Sequence, residues 1–232
     1  MPAWAVPAYD TSGSCSDDGG AATTCNISIT VGASNPAMVG FIAIRSSSIT
    51  ASSFTWNSVA CTADTAVLSL YSSIYLRIYK CTAPASGAHT GTCTVSGAGA
   101  QFACALVSVT GAHQSSAFGT QTTSNPNDVA ETSTSLNVTS DTTELVITGI
   151  AIGNSDNNVG TLTATGTGQT ERIDTRTGDL ALGIGAATQT GAATTTSSWT
   201  LSASNGNVQA SISVKPAAAA ATRRPMAPIV FQ

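Results

Sequence analysis

Apolar residues in this chain alternate or gather in short runs between turn residues, and the three-to-four spacing of an amphipathic helix is almost absent. That periodicity commits the backbone to strands. The first group of expected strands is Asn26–Val31, Met38–Arg45, Val67–Tyr71, Ile74–Cys81, Gly91–Ser96 and Ala103–Thr110. A second group is Ser133–Thr139, Glu144–Ile152, Thr161–Thr165, Gln169–Asp174, Leu180–Thr188, Ser197–Ala203 and Val208–Lys215. Pro84–Gly87 and Asn205-Gly206 read as turns between them. Many short strands divided by turns give an all-β sandwich or barrel, and the sandwich is the expected class.

The two groups resemble each other. Met38–Ile44 matches Val146–Ile152, and Leu106–Val109 matches Ser211–Val214, at an offset of about 105 to 108 residues. We read an internal pseudo-repeat over about 27–112 and 136–217, too long for a solenoid unit. It predicts one β-sandwich over 26–217 in which each half contributes strands to both sheets, and two separate domains stay open. Gln114–Thr132 is expected to be a long polar connecting loop. Residues 1–25 and 218–232 are expected to be extended terminal arms.

Charged residues make up 9% of the chain against roughly 25% in an ordinary soluble domain, so a membrane protein must be considered. No apolar run approaches the ~18 residues of a membrane helix, and polarity comes from Ser, Thr, Gly and Asn. The net charge of −4 and scattered basic residues argue against nucleic acid and membrane surfaces as partners. Six cysteines, an even number, suggest disulfides, with reduced core thiols as the alternative. Met1–Trp4 does not read as a signal peptide. A chain suited to the exterior without an export signal suggests a virus particle as its vehicle, or a mature form whose signal has been removed.

Neither catalytic residues nor a cofactor or metal site is expected. Glu171 and Asp174 lie at odd spacing in one strand, which predicts opposite faces. Asp141 and Glu144 flank a turn, and no Gly-x-Ser-x-Gly elbow accompanies His89 or His113. Asp17, Asp18 and Asp156 could face calcium but read better as loop polarity. Cys81 and Cys93 flank Pro84–Gly87 and could face each other across a hairpin; Cys15 and Cys25 flank a Gly-Gly turn, which leaves Cys61 with Cys104. Six cysteines allow many other pairings. Tyr71, Tyr75 and Tyr79 share one strand face, either as a glycan-binding strip or as packed sheet. In the tail, Ile229, Val230 and Phe231 form an apolar anchor behind Arg223 and Arg224, suited to docking on a partner.

Trp56-Asn57, Pro84–Gly87, Thr92–Ser96 and Ser211–Pro216, in that order, resemble the phage and bacterial surface β-sandwiches of the concanavalin-like jelly-roll type. The resemblance spans about Asn26 to Ala217. It implies a jelly-roll-type antiparallel β-sandwich and a structural, non-enzymatic virion protein, first of all a capsid decoration or cement protein at the particle surface. Its expected partners are the major capsid protein or other virion subunits, and further copies of itself in a homo-oligomer. The alternative is a glycan-binding module of a phage fibre or bacterial adhesin, secreted or at the cell surface.

Overall fold

The computed structural model describes residues 6–69, 73–124, 129–154 and 156–218. In chain order the strands are β1 (Ala8–Asp18), β2 (Thr24–Val31), β3 (Ala37–Arg45), β4 (Ala51–Trp56), β5 (Val59–Ala60), β6 (Thr62–Ala63), β7 (Val67–Ser69), β8 (Ile74–Thr82), β9 (Gly87–Val95) and β10 (Gln101–Thr110). The second half adds β11 (Thr122–Ser124), β12 (Glu131–Val138), β13 (Leu145–Gly153), β14 (Leu162–Ala164), β15 (Thr170–Arg176), β16 (Leu182–Thr190) and β17 (Thr195–Val214). The fold is all-β with antiparallel pairing, and every expected strand group coincides with an observed strand.

Strands of the two halves do not mix. One sheet has the order β1-β10-β3-β8-β6, with β7 also on β8, and a second has β2-β9-β4-β5. The second half builds β11-β17-β13-β16-β15, with β12 and β14 joined to β17. So the expectation that each half supplies strands to shared sheets is corrected: each half closes its own pair of layers. Corresponding strands have corresponding partners. Ile42 of β3 lies opposite Cys104 of β10, and Ile150 of β13, one repeat later, lies opposite Gln209 of β17.

The halves are then fused face to face. Val39, Phe41, Leu76, Ala105 and Val107 of the first half share one apolar core with Ile147, Ala151, Ile184, Ala210 and Ile212 of the second. The other face of β3 and β10 covers a separate core with β2, β4 and β9, containing Phe54, Trp56 and Phe102. The other face of β13 covers Leu162, Trp199 and Leu201. Both faces of β3, β10 and β13 are therefore buried, which explains their near-continuous apolar runs. Phe41 and Gly149, repeat-equivalent positions, meet at the centre of the shared core. A Cβ on Gly149 would clash with Phe41 Cδ1, so the glycine leaves the space that the ring fills.

Three segments depart from expectation. Residues 8–18, expected in an arm over 1–25, form β1, paired with β10 from Ala8↔Thr110 to Asp18↔Gln101. Its sequence is polar and carries no alternation, because main-chain pairing and a few side chains hold it. The Asp10 carboxylate accepts from Gly32 N at 2.8 Å and Ser108 Oγ at 3.0 Å, and Ser14 Oγ lies 2.6 Å from Thr175 Oγ1 across the junction of the halves. Of the long loop, Ala117 is buried, Phe118 bridges Val214 and β11 pairs with β17. Asn205-Gly206 is no turn: β17 runs straight through it, pairing with β12 and β14 before it and with β13 after it. Asn205 Nδ2 donates to Val159 O and Ala203 O, both at 2.8 Å, which ties down the strand where it changes layers. Residues 219–232, nearly all of the expected C-terminal arm, lie outside the described residues.

Candidate functional site

Glu171, Asp174 and Asp141 are held by backbone donors. Odd spacing predicted opposite faces for Glu171 and Asp174, but β15 carries a bulge between Glu171 and Ile173. The extra residue reverses the alternation. Both carboxylates consequently reach β14: Ala164 N donates to Glu171 Oε2 at 3.0 Å and Leu162 N to Asp174 Oδ2 at 3.3 Å. Asp174 also pairs with Arg176 at 3.0 Å, and Asp64 with Lys80 at 3.0 Å. Asp141 accepts from Thr143 N and Oγ1, each at 3.0 Å, and these bonds hold its carboxyl below the usual range. This geometry makes the carboxylates strand-edge and turn fasteners.

The histidines have similar local work. His113 Nδ1 accepts from Ser115 N at 3.3 Å and Ser116 N at 3.2 Å. His89 stands edge-on to Trp56, with ring centroids 5.9 Å apart. Between Trp56 and the Pro84 turn lies a cavity of about 230 Å³, lined also by Val59, Lys80 and Cys81. A polar groove of about 430 Å³ runs over β12 and β17, lined by Glu131, Ser133, Thr134, Thr165 and Ser198.

Of the tyrosine strip, Tyr79 does not stand at the surface. Tyr79 is 1% exposed, its ring 6.2 Å from that of Phe54, inside the first half's core, and half-buried Tyr75 packs against the same core. Both point inward because the odd positions of β8 face β4 and β9. Burial pushes the Tyr79 hydroxyl up to about 12, partly offset by the neighbouring Arg77. Tyr71 lies outside the described residues, as do Arg223, Arg224, Ile229, Val230 and Phe231.

The cysteines pair differently from the sequence reading in two of three cases. Cys15–Cys25 is bonded as expected, with Cα atoms 6.1 Å apart. Cys81 bonds to Cys61, not Cys93, and Cys104 therefore has no bond to Cys61. The reason is that Pro84–Gly87 does not close a hairpin. It carries the chain from β8 in one sheet to β9 in the facing sheet, while β6, next to Cys61, pairs with β8. Cys93 and Cys104 are both buried, and neither is bonded to another cysteine here. The sulfurs of Cys15, Cys25, Cys93 and Cys104 all lie within 4.8 Å of one another. Nothing in their sequence spacing foretells this grouping, which depends on β1 pairing with β10 and β2 with β9.

No protein-family model matches the chain, no curated protein is similar to it at a significant level, and no solved structure matches its fold.

Proposed function

We propose that the protein is a structural subunit of an extracellular assembly, in the first instance a decoration or cement protein on a virus particle. The observation that carries this reading is the apolar core common to both halves, which joins two sandwiches into one body. Two disulfides within the first half add covalent staples, as suits an oxidising exterior. Glu171, Asp174, Asp141 and His113 are engaged in holding strand edges and turns. The body would act mechanically, as a plate on or between neighbouring subunits. The tail brings the attachment: Arg223 and Arg224 for carboxylates of a capsid subunit or a further copy, then Ile229, Val230 and Phe231 as apolar anchor. Repetition over a lattice would sum individually weak contacts.

Co-sedimentation with particles isolated from the producing culture tests this reading, comparing the full chain with a chain lacking residues 223–232. Both should melt at the same temperature, and only the full chain should travel with the particles. Equal binding by the truncated chain would remove the tail from the mechanism, and binding by neither would remove the particle. The glycan-binding alternative has Tyr79 in the core and so lacks that part of its aromatic platform. Saturable binding of the soluble protein to one glycan on an array would restore it.

A further inference from the structure

We propose that Cys93 and Cys104 form a third disulfide, which crosses the first half's core beside Cys15–Cys25 and leaves the chain without a free thiol.

The four cysteines occupy the corners of a rectangle. Cys15 of β1 lies directly opposite Cys104 of β10 in one sheet. Cys25 of β2 lies directly opposite Cys93 of β9 in the facing sheet. One long side of this rectangle is already bonded between the sheets, by Cys15–Cys25. The other long side joins Cys93 to Cys104, and all four sulfurs are within 4.8 Å of one another. The Cys93 and Cys104 sulfurs therefore face each other across the sheets at the same level as the bonded pair. Both remaining residues are 0% exposed and belong to the same apolar cluster as Ile27, Phe54, Phe102 and Leu106.

The same four sulfurs could in principle hold a metal ion, since tetrathiolate sites bind zinc. Charge decides against it. Four thiolates around a divalent ion leave a net charge of about −2, which needs donors or cations nearby when buried. Around this cluster pack Ile27, Ile29, Phe54 and Phe102, and the backbone N–H groups of β9 and β10 are engaged in sheet pairing. Burial and the neighbouring Cys93 push the Cys104 thiol well up, so the thiolate is disfavoured where it stands. A neutral disulfide has none of these costs. It is also the oxidation state that Cys61–Cys81 and Cys15–Cys25 already display.

The bond forms by exchange with a disulfide donor of the oxidising compartment, before the sheets close over the pair. The thiolate of one cysteine displaces one donor sulfur and gives a mixed disulfide. The second cysteine displaces the other donor sulfur. Two electrons pass from the two cysteines to the donor, which leaves as two thiols carrying the two protons. Once the core is shut, neither sulfur is open to a reductant in solution.

The test uses protein purified without reductant, denatured in the presence of an alkylating agent, then digested with chymotrypsin, which cuts after Phe102 between the two residues. Cys81 and Cys93 stay on one peptide, so the expected result is no alkylated cysteine and a three-peptide species in which Cys81 joins the Cys61 peptide and Cys93 joins the Cys104 peptide, with both links assigned by fragmentation. Alkylation of Cys93 and Cys104 alone would overturn the proposal, as would peptides joined as Cys15–Cys104 and Cys25–Cys93. Elemental analysis of the native protein closes the remaining route: one equivalent of metal, with four alkylated cysteines after denaturation, would also overturn it.

Discussion

The inner cores of the two halves have the same strand layout and opposite chemistry. In the first half, Phe54 and Trp56 of β4 lie over Gly91 of β9, where a Cβ would come within 2.9 Å of Phe54. One repeat later the large residue has changed strands. Trp199 of β17 takes the place of Gly91, and Leu162 and Ala164 of β14 take those of Phe54 and Trp56. Further along, Phe102, Cys104 and Leu106 lie opposite Ile44, Ile42 and Gly40, while Asn207, Gln209 and Ser211 lie opposite the equivalent Ile152, Ile150 and Thr148. The second half thus fills with polar side chains what the first fills with apolar ones. Gln209 Nε2 donates to Thr134 Oγ1 at 2.8 Å, and Thr148 and Ser211 hydroxyls meet at 2.6 Å. Both disulfides belong to the first half, and the cysteines end at Cys104. Strand layout fixes how many layers there are. It does not fix whether a core is held by aromatic packing and sulfur or by hydrogen bonds.

The junction is where the two halves depend on each other most. Replacing Phe41 by alanine opens a cavity against Gly149, and we expect a loss of about 3–5 kcal/mol in denaturant unfolding. Near-ultraviolet and intrinsic fluorescence signals should shift together, because Trp56 and Trp199 report on separate halves joined through this core. Two separated transitions already in the unmodified protein would break the picture of one body.

Next in size is the Cys61–Cys81 staple, which closes a separation of 20 residues. The double substitution Cys61→Ala with Cys81→Ala should cost about 3 kcal/mol. Hydrogen exchange should locate the weakening in β4, β8 and β9, with β12 and β14 protected as before. Equal loss of protection in both halves would mean that the staple supports the junction and not its own core.

The smallest effect concerns Tyr79, whose repeat equivalent is Ala187. The unfolded chain releases the phenol proton near pH 10, and the folded protein holds it until about 12. Above pH 10 the unfolded state therefore binds fewer protons, and stability falls as pH rises through this window. Up to about 2 kcal/mol should be lost there and largely retained in Tyr79→Phe, with little change at pH 7. Identical alkaline unfolding curves for both proteins would show that another group sets the limit.

Period-two patterning made most of the long strands of both halves legible, because a strand with a buried face must alternate or, with two buried faces, run apolar throughout, whereas β4 was not expected. The pseudo-repeat offset was legible for the same reason: Met38–Ile44 and Val146–Ile152 occupy central strands whose both faces are covered. β1 was not legible. Its residues are polar, and its place is set by main-chain pairing with β10, whose partner a sequence does not name. The bulge in β15 reversed a parity argument that was sound for a regular strand.

By itself, then, the sequence determined the class and the positions of most long strands, since both follow from local periodicity. The tertiary structure decided which sheet each strand joined, and with that the fate of the side chains that had looked functional. Cys81 met Cys61 because the Pro84 segment passes between sheets, and Tyr75 and Tyr79 turned inward because β8 is covered on that side. Four cysteines spread from position 15 to position 104 came together for the same reason: contact between distant strands is fixed by the burial of whole sheet faces, and no short stretch of sequence contains that information.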